Sequence, residues 1–211
     1  MRIAHGMAPP VLYLASASPR RRELLAQIGV QCQVLPVDLD ESPAPGEAPG
    51  AYVRRVALDK ARAARILVGT GDNAVILAAD TAVVVGKQVL GKPRDAHEGA
   101  RMLRRLSARE HRVLSGVALI APGGEERTAV SLSRVRMRRI GEAEIAAYWA
   151  TGEPQDKAGG YAIQGLAAVF VESLSGSYSG VMGLPLFETA ALLAAVGLAP
   201  LATHNENEGH H

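Results

Sequence analysis

Residues 73–86 read NAVILAADTAVVVG. Apart from Asp80 and Thr81, the run is apolar at odd and even positions alike, so a strand built from it has no wet face. Such a strand belongs at the centre of a sheet covered on both sides, which places the chain among α/β folds. Asp80 then stands out, because burying a carboxylate without partners costs on the order of several kcal/mol. Capping at a strand end is the plain explanation, but the apolar run continues through Val85. A functional role therefore outweighs it, and a hard divalent cation such as Mg²⁺ suits a lone carboxylate beside other oxygen ligands.

Upstream, residues 51–67 carry a helical stripe of Val53, Val56, Ala57 and Ala64, with Lys60 inside it. A lysine on a buried face calls for an anion. Taken alone, the simpler reading is a stem covering the core with its ammonium in water. Before that helix, QCQVLPVDL at 31–39 reads as a strand and DESPAPGEAPG at 40–50 as a loop. Glu41 at the strand's end offers a second carboxylate, with Asp38 and Asp40 as competitors and an exposed acidic end as the ordinary alternative.

The first strand, 11–15, leads into SASPRRRELL at 16–25, with Ser18 as N-cap and Pro19 as first helical residue, and the helix ends near Gly29. Three arginines in a first turn oppose the helix dipole by roughly 0.3–1 kcal/mol each. Arg21 falls in line with Leu25 and Ile28 and points inward, Arg20 lies to one side and Arg22 faces solvent. An anion there would meet backbone donors and two guanidinium forks. On this segment alone, that reading stands level with three solvated arginines.

Downstream, GKQVLGKP at 86–93 reads as a turn, a short strand and a stiff loop around Lys92, which is equally an ordinary surface lysine. Asp95 caps a helix carrying Met102, Leu103 and Leu106, and residues 112–140 form a hairpin with a Gly-rich turn. A short helix at 141–152, an apolar strand at 165–174 and a C-terminal helix introduced by Pro185 complete the pattern. The expected fold is α/β, a mixed and twisted sheet flanked by helices. One domain is expected over 11–198, with disordered ends at 1–10 and 202–211, the closing GHH being consistent with an added tag.

Between helix and strand, TGEPQDKAGGYAIQG at 151–165 is too polar for core and too rich in turn residues for a random linker, so it reads as a binding loop. Within it the Gln164 amide both donates and accepts, as reading a nucleobase edge requires. GSYSGVMGLP at 176–185 reads as a close-approach loop, with Ser177 and Ser179 as alternative cap or turn residues. Arg134, Arg136 and Arg138 alternate with Val135 and Met137, which an exposed sheet face explains. A net charge of +2 over 211 residues and few aromatics argue against nucleic-acid binding.

The single cysteine, Cys32, cannot form an internal disulfide and reads as a small buried hydrophobe on a strand. No apolar run approaches the ~18–20 residues of a membrane span, and no long apolar signal core opens the chain. The expectation is a cytoplasmic protein without membrane contact. There is no histidine pattern with metal spacing, no Ser/His/Asp or Cys/His set and no phosphate loop of the GxxxxGK[ST] or GxGxxG kind.

Taken in order, LASASPRRRELL, DES, AADT, LGKP, TGEPQDKAGGYAIQG and GSYSGVMGLPL resemble the Maf family of nucleoside triphosphate pyrophosphatases, over about residues 11–193. The resemblance implies a fold related to that of the inosine triphosphate pyrophosphatases with two lobes around a cleft, a homodimer and a divalent cation, Mg²⁺ or Mn²⁺. It implies Asp80 as the catalytic acidic residue that accepts a proton from water, and Ser16, Arg21, Glu41, Lys60 and Lys92 as the phosphate and metal pocket, the cation falling to Glu41 and Asp80. Arg20, Thr81 and Gln164 match positions linked to substrate choice, and YAIQG looks like the subgroup acting on dTTP and UTP. The alternatives are 7-methyl-GTP or another modified nucleotide, or a non-catalytic nucleotide-binding regulator of septum formation. Gly180, where relatives often carry a larger polar residue, and the longer GTGDN loop at 69–73 are departures.

Overall fold

A computed structural model describes residues 10–69 and 73–201. The expectations for the ends at 1–10 and 202–211, and for the loop at 69–73, fall outside these residues apart from Pro10, Gly69 and Asn73. The strands are β1 (Val11–Leu14), β2 (Gln33–Val34), β3 (Ala74–Val85), β4 (Gln88–Leu90), β5 (Glu110–Ile120), β6 (Glu126–Met137) and β7 (Val171–Ser175). The helices are α1 (Pro19–Gln27), α2 (Pro49–Val68), α3 (Ala96–Leu106), α4 (Glu142–Ala150), α5 (Tyr178–Met182) and α6 (Leu186–Ala194). One sheet runs β2-β1-β3-β5-β6-β7, with β4 also on β3; β1 is parallel to β2 and β3, and the other pairings are antiparallel.

β3 is the central strand its composition predicts, and its pleat sorts the two faces. Ile76 and Ala78 pack beneath α2, where Ala57, Ala61 and Ala64 face Ala118 across the interface. Small residues let the helix lie close to the sheet. Closest is Gly116 of β5, whose missing side chain would stand 2.3 Å from the carbonyl oxygen of Val53. On the opposite face, Val75, Leu77 and Ala79 pack with Leu24 and Leu25 of α1 and Leu193 of α6. Further along that strand, Val83 joins Leu103 and Leu106 of α3 and Ile145 and Tyr148 of α4. The two lobes thus share one sheet.

The edge of β3 away from β5 changes partner. It pairs with β1 as far as Leu77 and with β4 only from Val83, so residues 78–82 lie beside a gap between two neighbouring strands. Open α/β sheets bind ligands where strand order switches, next to the carboxyl end of a parallel strand, and β1 ends at this gap.

Four local expectations need correction. The second strand is only Gln33–Val34, because the backbone stays paired with β1 just where the chain runs alongside it and Pro36 then breaks the ladder. Cys32 precedes that strand and is half-buried. Residues 165–174 are not strand throughout: a short 3₁₀ segment, Leu166–Phe170, buries Ala167 and Phe170 before β7 begins. The 176–185 stretch is not loop throughout: it contains α5, and Ser177 is its cap, as the alternative reading expects, its side chain accepting from the Gly180 amide. No described helix is long and apolar enough to cross a membrane.

His111 of β5 is 2% exposed, its Nε2 lies 2.7 Å from the Tyr161 hydroxyl, and its Nδ1 has no partner among the described residues. Burial pushes its pKa from 6.5 down to about 4. Below pH 6.5 the unfolded chain takes up a proton that the folded one refuses, so stability is full above that pH and falls as pH drops towards 4. The loss across this window is on the order of 3 kcal/mol. Denaturant titrations of the wild type and His111→Gln from pH 7 to 5 test this: the wild-type free energy declines with acid while the variant's profile is close to flat.

Candidate functional site

The gap beside β3 opens into a cleft of about 540 Å³. Ser16, Arg20, Arg21, Glu41, Lys60, Asp80, Thr81, Lys92 and Gln164 all line it, together with Tyr52, Asp156, Lys157, Tyr161 and Gly183. Its size is within the range of small-molecule sites. A smaller depression of about 380 Å³ runs along Arg22 to Cys32 on the outside of α1, without a comparable convergence of charge.

Asp80 and Thr81 are neighbours on a strand and therefore face opposite sides of the sheet; the open edge lets both reach the same cleft. On the α2 side, the Lys60 ammonium donates to Asp80 Oδ1 at 2.9 Å and stands 2.8 Å from Glu41 Oε1. Asp80 is 6% exposed and Lys60 8% exposed, so the pair is a buried one, whereas Glu41 reaches in from the surface. Glu41 is seven residues beyond β2, in the loop rather than at a strand end. No group of three or more His, Cys, Asp or Glu suited to holding a metal occurs among the described residues.

On the other side, α1 begins with Pro19, and Ser18 occupies the N-cap position without a side-chain hydrogen bond. Ser16 does that local work instead: its Oγ accepts from the Ser18 amide at 3.2 Å and from Arg21 Nη1 at 3.0 Å. With both lone pairs engaged, the Ser16 hydroxyl has only its proton to offer the cleft. Arg21 also donates Nε to the Gly183 carbonyl at 2.8 Å, which clamps the guanidinium across α1 and α5. Burial lowers its pKa, and the charges of Asp80 and Glu41 oppose that shift. Arg20 is half-buried and lies 4.0 Å from Asp156, and Arg22 is exposed.

The 151–165 loop forms the third wall. Glu153 accepts from the Tyr148 hydroxyl at 2.6 Å, from the Leu166 amide at 3.0 Å and from the Ala167 amide at 3.4 Å. Burial would raise the Glu153 pKa, but these donors outweigh it and the carboxyl titrates below its ordinary range. A side chain on Gly165 would stand 2.2 Å from that carboxylate. The Gly159 amide donates to the Gly91 carbonyl at 2.9 Å, tying the loop to the turn that carries Lys92. Lys92 and Gln164 are exposed on the cleft wall.

Residues the sequence reading passed over include Tyr52, Gly183 and Ser115. Tyr52 sits eight residues before Lys60 on the same broad helical stripe, a signal that was available. Its pKa rises to about 12 through burial and the neighbouring Asp80 and Glu41 charges. Gly183, at φ 123°, works through its carbonyl, which no side-chain pattern reveals. In all, five basic side chains face three acidic ones around the cleft, an excess of two positive charges. The arrangement can hold a polyanion with an accompanying cation.

Comparison with known proteins finds relatives over most of the chain. The family model for Maf-like proteins matches residues 11–196. A dTTP/UTP pyrophosphatase of Alkalilimnicola ehrlichii is 55% identical over 187 residues, covering 87% of this chain and 92% of its own. Another, of Methylococcus capsulatus, is 54% identical over 187 residues, covering 89% and 91%. Among solved structures, a nucleoside-triphosphatase / dITP/XTP pyrophosphatase from Mycobacterium abscessus aligns over 90% of this chain and 97% of its own, with a TM-score of 0.44 and 20% identity, too distant to bear on substrate or mechanism.

The ion pair beneath the cleft is testable apart from any ligand. Lys60→Met leaves Asp80 buried without its counter-charge and lowers the unfolding free energy by about 3 kcal/mol. Adding Asp80→Asn recovers part of that loss, and a double-mutant cycle read by urea denaturation gives a coupling energy clearly different from zero.

Proposed function

The chain belongs to the Maf family, and on that premise we propose that it hydrolyses dTTP and UTP to the nucleoside monophosphate and pyrophosphate. The observation that carries this reading is the 53–55% identity, over nearly nine-tenths of the chain, to dTTP/UTP pyrophosphatases. The cleft supports it: its surplus of two positive charges suits a triphosphate that brings one divalent cation.

In this reading the triphosphate lies along the N-terminus of α1. Arg21 is preset by Ser16 and Gly183, and Arg20, Lys60 and Lys92 complete a ring of cations. These groups hold the phosphates in line and stabilise the charge that develops on the leaving pyrophosphate. The Ser16 hydroxyl donates to a phosphate oxygen. Water attacks the α-phosphorus, its proton passes to the Asp80 carboxylate, and the bond from phosphorus to the bridging oxygen breaks. Asp80 Oδ1 is held by Lys60, which leaves Oδ2 for this task.

Two carboxylates brought to one ammonium, with no further acidic or histidine ligand beside them, fit a Mg²⁺ or Mn²⁺ ion that keeps waters and shares phosphate oxygens. Glu41 and Asp80 would hold it, and it would supply neutralisation of phosphate charge. Gln164 and the loop around it face the nucleoside.

Pyrophosphate release by the purified protein with Mg²⁺ or Mn²⁺, measured across UTP, dTTP, CTP and 7-methyl-GTP, tests the reading. UTP and dTTP are expected to lead in kcat/KM; absence of pyrophosphate with every nucleotide would leave only the regulatory alternative. Asp80→Asn is expected to lower kcat by about 10²–10⁴-fold while nucleotide affinity is largely kept. Near-normal turnover in that variant would remove Asp80 from the chemistry.

A further inference from the structure

Thr81 and Ser115 face each other across β3 and β5. Their hydroxyl oxygens are 2.9 Å apart, and either atom could be the donor on distance alone. A third contact settles the direction. The Ser115 hydroxyl lies 2.6 Å from the carbonyl oxygen of Gly180, an atom that can only accept, so the single Ser115 proton points there. Ser115 then meets Thr81 with a lone pair, and the Thr81 proton is consumed in that bond. Ser115 is 1% exposed.

Thr81 is part-buried on the cleft wall, and what remains to its oxygen is acceptor capacity alone. Arg21, on the same side, gives Nε to Gly183 and Nη1 to Ser16, so those donors are engaged elsewhere. The cleft therefore holds two hydroxyls of opposite polarity. Ser16 offers a proton, which suits a phosphate oxygen; Thr81 offers lone pairs, which a phosphate would repel and a donor would satisfy.

We propose that Ser115 is a positioning residue that fixes Thr81 as an acceptor for a hydrogen-bond donor on the nucleoside part of the ligand. This rests on the cleft being a nucleotide site. Two groups of the proposed substrates have that chemistry: the imide N–H of a uracil or thymine ring and a sugar hydroxyl. In cytosine the corresponding ring nitrogen is itself an acceptor and would face Thr81 lone pair to lone pair.

Affinity for the non-hydrolysable α,β-methylene analogue of UTP, measured by calorimetry, reads the effect without turnover. Thr81→Val is expected to weaken it by about 10-fold, and Thr81→Ser to restore it. Ser115→Ala frees the Thr81 proton: with the imide as donor the preference for the UTP over the CTP analogue narrows by roughly 5-fold, the CTP analogue gaining, and with a sugar hydroxyl as donor both analogues weaken alike. If Ser115→Ala melts below the assay temperature, Ser115→Cys, with similar volume and a weak donor, serves in its place. The N3-methylated and 3′-deoxy analogues separate the two sources: whichever lacks the donor becomes indifferent to Thr81→Val. Equal weakening of all analogues by Thr81→Val, or a Ser115 variant that binds the UTP and CTP analogues as the wild type does, overturns the proposal. Discriminating affinity without any pyrophosphate release would instead sink the hydrolase reading and leave this one standing.

Discussion

The cleft depends on one buried ammonium. Asp80 has almost no contact with solvent, and a carboxylate so placed survives only with a partner of opposite charge and good geometry. Lys60 supplies both, and by also meeting Glu41 it draws a surface loop down onto the floor of the cleft. Its own burial would be as costly as that of Asp80 were both carboxylates missing. Three charged side chains from a loop, a helix and a strand are therefore fixed relative to one another before any ligand arrives, which is the preorganisation that electrostatic catalysis needs.

That contact is possible only because α2 lies unusually low on the sheet. Ala57, Ala61 and Ala64 leave little between helix and strands, and Gly116, the cross-strand partner of Asp80, admits the Val53 backbone itself. A side chain at Gly116 would lift the helix and pull the ammonium away from the carboxylate. The opposite wall is held by hydrogen bonds rather than close packing: Arg21 joins α1 to α5, and Ser115 and Ser133 join the sheet to the α5 segment. The cleft thus combines an apolar hinge of small residues with a polar latch.

Much of this was legible in the residues. The uniform apolarity of 74–85 identified the central strand, the 3.6-residue spacing of Val53, Val56, Ala57 and Ala64 exposed Lys60 as out of place, and the line from Arg21 to Leu25 and Ile28 gave the inward guanidinium. Each is a polar residue breaking an apolar period. What escaped were features that depend on register or main chain. Ser115 looked like a small residue in an apolar strand until pairing set it against Thr81, and Gly183 acts through a carbonyl. The 165–174 stretch, apolar enough for a strand, begins as 3₁₀ because the Glu153 carboxylate takes the amides of Leu166 and Ala167 out of any ladder.

The Glu153 carboxylate pins both ends of the loop that runs between Tyr148 and Ala167; Tyr161 and Ile163 within it are rooted in the core beside β3 and β5, and the exposed residues between them bear on the cleft. A segment clasped in this way is an exchangeable cassette. Its exposed contents can drift over generations while the acid, the lysine and the arginine stay in register, so the rim of the cleft can be rewritten without the scaffold relearning how to fold.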